Sequence, residues 1–281
     1  MQLCVSPIVA IITCVVNGAQ FVACLYVATQ THGRGVPDRD DPRVVKERFL
    51  RVGVACVIAP LITLLSLMTP SGSSTRCGDD EPVVRWLGLW GSWFVSAAIA
   101  PLALTMLLFL GPLVTTCLDG YKPLLRPHGE LARLKRIRNL LVGPLAEEWV
   151  FRGCMCPLLY GAGFSDGASV FISAIVFGSA HIHHRFDAGD PWTAVAVQFT
   201  YTSLFGAYSS YLFLRTGLLI GPVLAHTFCN HMGLPDFGGV ATHAHAIIVA
   251  SAYVAGLIGF IVLVTLDAIY RPKLFGSFFW E

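Results

Sequence analysis

Apolar runs long enough to cross a bilayer recur along this chain, separated by short polar segments. A spanning helix needs about 20 mostly apolar residues, and runs of that kind lie near 3–29, 50–69, 93–118, 192–214 and 244–270. Three further apolar segments, near 139–160, 167–182 and 218–232, are shorter or carry polar groups. Gly and Pro interrupt them, which membrane helices tolerate when neighbours satisfy the freed backbone groups. The pattern predicts an all-α polytopic membrane protein with about eight transmembrane helices around a central polar cavity. No linker, low-complexity tract or repeat divides the chain, so residues 1–281 read as one domain. The first apolar run lacks a basic leader and is too long for a signal peptide.

Composition sharpens this. Of 281 residues, 55% are hydrophobic and only 13% charged, with mean hydropathy +0.67. An average soluble domain carries roughly 25% charged residues, so a soluble enzyme, a secreted disulfide scaffold and a disordered chain are all disfavoured. A net charge of +2 gives no reason to expect nucleic acid as a partner, whereas membrane lipids are implied throughout. Most of the nine cysteines sit in apolar stretches without a CxxC pair, where a free thiol behaves as a small hydrophobe. Basic residues are distributed unevenly. With eight spans, thirteen fall on one side and five on the other, which by the positive-inside rule puts both termini away from the cytosol. The stretch Leu131–Asn139 (LARLKRIRN) reads as a basic interfacial segment, and Phe275–Trp280 as an aromatic interfacial belt. His183, His184 and Arg185 read as residues of a cytosolic interface.

Ionisable residues inside apolar segments are costly and mark function by default. Three segments carry them: Glu147-Glu148-xxx-Arg152, Phe177-xxx-His181 and His226-xxx-Asn230. On a helix Glu148 and Arg152, four apart, share a face and can neutralise each other. Glu147 is turned by about 100° from Glu148, so one acid is paired and one is left over. Phe177 lies one turn beneath His181, and His226 and Asn230 present two hydrogen-bonding groups side by side. A carboxylate beside an imidazole can hold a water and accept its proton. An imidazole and an amide facing them can stabilise the oxygen on which charge develops in acyl transfer. The set suits attack of water on an amide carbonyl, and so proteolysis.

These motifs, EExxxR, FxxxH and HxxxN in that order and each in an apolar segment, resemble the type II, Ras-converting CAAX prenyl endopeptidases within the wider group of intramembrane glutamate proteases. The resemblance covers roughly 137–232. It implies a multi-pass endopeptidase of the endoplasmic reticulum membrane, its active site open to the cytosolic side. Such an enzyme removes the last three residues from farnesylated or geranylgeranylated CAAX proteins, such as Ras-type GTPases. By the resemblance Glu147 and His181 activate the water, in an order the residues leave open, and His226 and Asn230 form the oxyanion site. Glu148, Arg152 and Phe177 support them, and no cofactor or metal is implied.

Other chemistries stand beside this one. Glu147, His181 and His226 offer a carboxylate and two imidazoles, a set that a zinc-dependent intramembrane protease could use, although HExxH is absent. Cys229 or Cys154 could act as a nucleophile beside a histidine. A non-catalytic scaffold or a transporter could use the same polar pocket to bind an ion or partner, and the hydropathy shows no inverted repeat.

Overall fold

The structure is a computed structural model that describes residues 5–26, 41–68, 81–120, 129–182, 191–270 and 274–280. These form helices α1 (Pro7–Tyr26), α2 (Pro42–Leu67), α3 (Val83–Trp86), α4 (Phe94–Leu108), α5 (Leu110–Leu118) and α6 (Glu130–Ile137). They continue through α7 (Gly143–Glu148), α8 (Met155–Gly161), α9 (Asp166–Ser179), α10 (Trp192–Thr216), α11 (Ile220–Met232) and α12 (Ala246–Tyr270). Among the described residues there is no strand, so the all-α expectation holds. His183, His184 and Arg185 lie outside the described residues.

The expectation of about eight transmembrane helices does not hold. Among the described residues three helices are long and apolar enough to cross a membrane, Pro7–Tyr26, Pro42–Leu67 and Ala246–Ala268. A fourth arises only if α4 and α5, bent by 71° at their junction, count as one broken span. The reason is geometric. At 1.5 Å per residue, the 14-residue α9 and the 13-residue α11 are only about 20 Å long, against a hydrocarbon core of about 30 Å. The 25-residue α10 is long enough, but its Thr and Ser content leaves it too polar to pass as a span. The parity argument that placed both termini away from the cytosol therefore loses its basis.

Polar and apolar residues are nonetheless arranged as lipid requires. The outward faces of α1, α2 and α12 expose Ile8, Leu50, Leu65, Ile247, Val254 and Ile258, while Asn17, Thr63, Glu148, Arg152, Ser173, Ser209 and Ser210 are buried. Interior hydrogen bonds join the helices, as expected where no water competes. Asn17 Nδ2 donates to Thr63 Oγ1 at 3.0 Å, and Thr63 Oγ1 to the carbonyl of Cys154 at 3.3 Å. The described cysteines, seven in number, are all unpaired thiols.

The motif-bearing segment is one helix interrupted by two π-helical turns, Arg138–Val142 and Trp149–Cys154, on either side of α7. Such turns cluster at functional sites. Pro144 contributes to the first, because it has no N–H to give to the carbonyls of Asn139 or Leu140 one turn back. Both carbonyls are taken up by α11 instead, through Asn230 Nδ2 at 2.9 Å and Thr227 Oγ1 at 3.1 Å. In the second interruption, Ser173 Oγ bonds the carbonyl of Phe151 at 3.3 Å. The helix is thus broken where its neighbours can satisfy it. At the basic end, Lys46 of α2 meets Glu130 of α6 at 2.6 Å and holds that carboxyl below its usual range.

Part of the aromatic C-terminal segment packs into the bundle. Phe279 is fully buried against Trp86, Tyr160 and Phe213, and the carbonyl of Phe278 accepts a hydrogen bond from Tyr160 Oη at 2.9 Å. The Phe278 and Phe279 rings close the end of the bundle near α3 and α8, while Phe275, Phe278 and Trp280 stay half-buried.

Candidate active site

Adjacent positions in α7 send the two acids in different directions. Glu148 is fully buried. Its Oε1 accepts from Arg152 Nη1 at 3.2 Å and faces His226 Nδ1 at 2.7 Å, while its Oε2 accepts from Ser209 Oγ at 2.5 Å. Arg152, also fully buried, donates through Nη2 to the carbonyl of Gly206 at 3.2 Å and stacks its guanidinium 4.3 Å from the centre of the Phe177 ring. A desolvated charge persists only when it is paired and hydrogen-bonded, and this network supplies both.

Glu147, half-buried, turns the other way and lines a cavity of about 220 Å³ together with His181, Asn230, Asn139, Arg48 and Arg138. The rest of the wall is apolar, from Phe21, Val22, Leu25, Phe49, Val52 and Phe151. His181 is set by its own helix, since its Nδ1 lies 2.9 Å from the carbonyl of Phe177. A carbonyl only accepts, so Nδ1 carries the hydrogen and the neutral ring keeps its lone pair on Nε2. The Phe177 and His181 rings meet at 63° with centroids 4.8 Å apart, an edge contact rather than a parallel stack.

Of the residues singled out in the sequence, Glu147, His181 and Asn230 reach the cavity, and Glu148, Arg152 and Phe177 form the buried layer behind it. His226 belongs to that second layer. It does not line the cavity, its Nδ1 is committed to Glu148, and its Nε2 sits 3.8 Å from Glu147 Oε2. His226 therefore bridges the two acids. One amide hydrogen of Asn230 is held by the backbone of Asn139, which fixes the side chain and leaves the second directed elsewhere. Cys154 is buried and Cys229 half-buried, and neither lines the cavity. Among the described residues, no three His, Cys, Asp or Glu side chains converge as a metal-holding group, so Glu147, His181 and His226 do not form the zinc set considered above.

Helix α10 bears none of the three motifs, yet it completes the network through Phe205, Gly206 and Ser209. The Phe205 ring lies 4.7 Å from that of His226. A Cβ on Gly206 would come 3.1 Å from the Ala174 backbone and 3.2 Å from the Phe177 ring, so glycine is what lets α10 approach α9. The signal was present as small residues at Gly206, Ser209 and Ser210, the spacing that brings membrane helices together. Ser209→Ala should leave Glu148 Oε2 without its partner and cost roughly 1–3 kcal/mol, the penalty for a buried unsatisfied acceptor. A thermal unfolding series in detergent measures this, and an unchanged midpoint would contradict it.

A second, more apolar cavity of about 520 Å³ adjoins the first and shares Phe49, Val52, Val142 and Ala146 with it. Its other walls come from Cys56, Leu89, Phe94, Leu145, Trp149, Ile220 and Val223.

A membrane-embedded helical bundle with a carboxylate, an imidazole and an amide on one cavity is the architecture of a polytopic membrane peptidase. Comparison with known proteins defines it further. Residues 130–232 match the family described as type II CAAX prenyl endopeptidase Rce1-like. CAAX prenyl protease 2 of Homo sapiens is 37% identical over 274 residues, spanning 91% of this chain and 81% of the relative. CAAX prenyl protease 2 of Arabidopsis thaliana is 30% identical over 310 residues, spanning 97% and 93%. The protein of that name in Saccharomyces cerevisiae is 25% identical over 248 residues, 76% of each chain. No solved structure matches. The chain belongs to the CAAX prenyl protease 2 family and is an intramembrane endopeptidase of that type.

Proposed function

We propose that this enzyme removes the C-terminal tripeptide from farnesylated or geranylgeranylated CAAX peptides, in the endoplasmic reticulum membrane, with its cavity open to the cytosolic side. The observation that carries this reading is the meeting of Glu147 and His181 on one cavity that adjoins a larger apolar one. A peptide end fits the first and an isoprenoid chain the second. The basic stretch Arg133, Lys135, Arg136 and Arg138 leads into the same helix, which favours a cytosolic mouth. Residence in the endoplasmic reticulum follows from the family resemblance.

In this reading a water lies between Glu147 and His181 Nε2. One of the two takes its proton as the oxygen bonds to the scissile carbonyl carbon. The carbonyl oxygen, now carrying the electron pair, is met by the remaining amide N–H of Asn230. His226, when doubly protonated, offers Nε2–H while Glu148 holds Nδ1. Collapse of the tetrahedral intermediate breaks the C–N bond, and the proton held by Glu147 or His181 passes to the leaving amine. Arg152 neutralises Glu148, so Glu147 is the carboxylate left for chemistry.

Purified protein incubated with a farnesylated CAAX peptide is expected to release the free tripeptide, seen by mass spectrometry. Release should survive strong chelation and the substitutions Cys154→Ala and Cys229→Ala. No release by folded wild type would sink the reading, and loss on chelation restored only by zinc would replace it with a metalloprotease.

A further inference from the structure

The second cavity has a direction on which three helices agree. Its near end is shared with the catalytic cavity, through Phe49 and Val52 of α2 and through Val142 and Ala146 beside Glu147. Further along α2 the wall passes to Gly53 and then Cys56, and along the motif-bearing helix it passes to Trp149. On α11, which runs the opposite way, it passes from Val223 to Ile220. Thr227 of α11 bonds the carbonyl of Leu140, whereas Leu219 lies at the level of Gly153. There an added Cβ would come 3.3 Å from the Leu219 side chain and 3.3 Å from the Leu87 carbonyl. The turn that carries Gly88 and Leu89 therefore closes the far end as a floor. From Ala146 to Gly153 is seven residues, roughly 10 Å of helix.

That far end is built from fixed parts. Trp149 donates its indole N–H to the carbonyl of Cys56 at 2.8 Å, and the carbonyl of Gly88 accepts from the Leu219 N–H at 3.0 Å. Gly88 has a left-handed φ of 70°, and a Cβ there would come 2.5 Å from the Phe213 ring, so the turn sits hard against its support. By contrast Gly53 has nothing within 4 Å of where a Cβ would stand, and Cys56 is a small side chain at the floor. Leu89, Phe94 and Leu145 are exposed, which leaves the cavity open to a chain dissolved in lipid.

In a prenylated CAAX peptide the thioether belongs to the residue whose carbonyl is attacked, so the isoprenoid begins within one residue of Glu147. Laid along the cavity from there, it passes Gly53 and meets the floor at Cys56. A geranylgeranyl chain arrives there with one isoprene unit more than farnesyl. We infer that the second cavity measures the isoprenoid, and that Cys56 at its floor sets how long a chain the enzyme accepts. This inference rests on the prenyl-peptide reading proposed above and names the specificity determinant of that same site. Gly53, nearer the mouth, lies beside the part that the two isoprenoids have in common. Cys56 lies beside the part in which they differ.

The test offers one CAAX peptide, carrying either a farnesyl or a geranylgeranyl group, to wild type, Cys56→Leu, Cys56→Phe, Cys56→Gly and Gly53→Leu, and reads kcat/KM. Each variant is compared with itself across the two substrates, so a loss of folded protein cancels. One methylene too many in an apolar pocket changes discrimination by about 10- to 200-fold. Cys56→Leu should therefore raise the farnesyl-to-geranylgeranyl ratio about 10-fold over wild type, Cys56→Phe should raise it further, and Cys56→Gly should lower it. Gly53→Leu should lower both substrates alike and leave the ratio near that of wild type. A Cys56 series that leaves the ratio unmoved overturns the inference while the proposed function stands. So does a ratio that shifts in Gly53→Leu and not in Cys56→Leu. Cleavage of neither peptide by folded wild type overturns the proposed function and the length gauge with it.

Discussion

Glu147→Gln is expected to lower tripeptide release by about 10²- to 10⁴-fold, the range that general-base catalysis contributes, with little change in thermal stability. The substitution keeps the size of the side chain and removes its capacity to take a proton. Glu147 is half-buried and faces the cavity, and His226 Nε2 lies 3.8 Å from its Oε2, a contact looser than those that Glu148 makes with Arg152, His226 and Ser209. Nothing in the fold depends on its charge as the fold depends on that of Glu148. His181→Ala is expected to produce a loss in the same range, since His181 Nε2 is the other proton acceptor on the cavity. Single-turnover hydrolysis of a prenylated peptide, read beside unfolding curves of the same samples, measures both. A Glu147→Gln enzyme as active as wild type would remove Glu147 from the mechanism.

Glu148→Ala should have the opposite profile, a folding defect first and an activity defect as its consequence. Glu148 and Arg152 are fully buried, and the acid ties together three other side chains: Arg152, His226 and Ser209. Removing one partner of a buried ion pair leaves the other charge uncompensated and typically costs about 3–5 kcal/mol. Here Arg152 would keep the Gly206 carbonyl and the face of Phe177, neither of which supplies a negative charge. Replacing both members with an apolar pair, as in Glu148→Leu with Arg152→Met, should recover much of the lost stability, because no charge is then stranded. It should not recover activity, since His226 would lose the group that orients it. Thermal midpoints of the single and double variants form a cycle that reads this coupling directly. Additive losses would show that the pair is not a unit.

Helix spacing alone predicts that Glu148, and not Glu147, pairs with Arg152, because the four-residue separation puts them on one face; the 3.2 Å contact is that prediction's counterpart in space. The short helices were less legible. Apolar stretches at 139–160, 167–182 and 218–232 satisfied hydropathy but not length once the chain broke them with π turns and glycine ends. A hydropathy window averages over such breaks, because it responds to composition and not to hydrogen-bond register. The burial of Phe279 against Trp86 and Tyr160 was not legible either, since Phe and Trp suit a membrane interface and a buried cluster equally. A second ion pair, buried Arg215 with half-buried Asp267 at 2.6 Å, joins segments 52 residues apart and has no local spacing that would announce it.

By itself the sequence determined that this chain lives in lipid, that it is helical, and which motif residues the chemistry would draw on. Composition and helical spacing are local properties, and a charge placed in an apolar run must be answered somewhere nearby. Which acid faces the cavity and which is buried beneath it, that His226 bridges the two acids from outside the cavity lining, and that α10 supplies Gly206 and Ser209 were decided only by tertiary structure. Those outcomes depend on how closely helices from distant parts of the chain approach. Close approach is set by glycines, by the carbonyls that Pro144 frees, and by packing that no single segment contains.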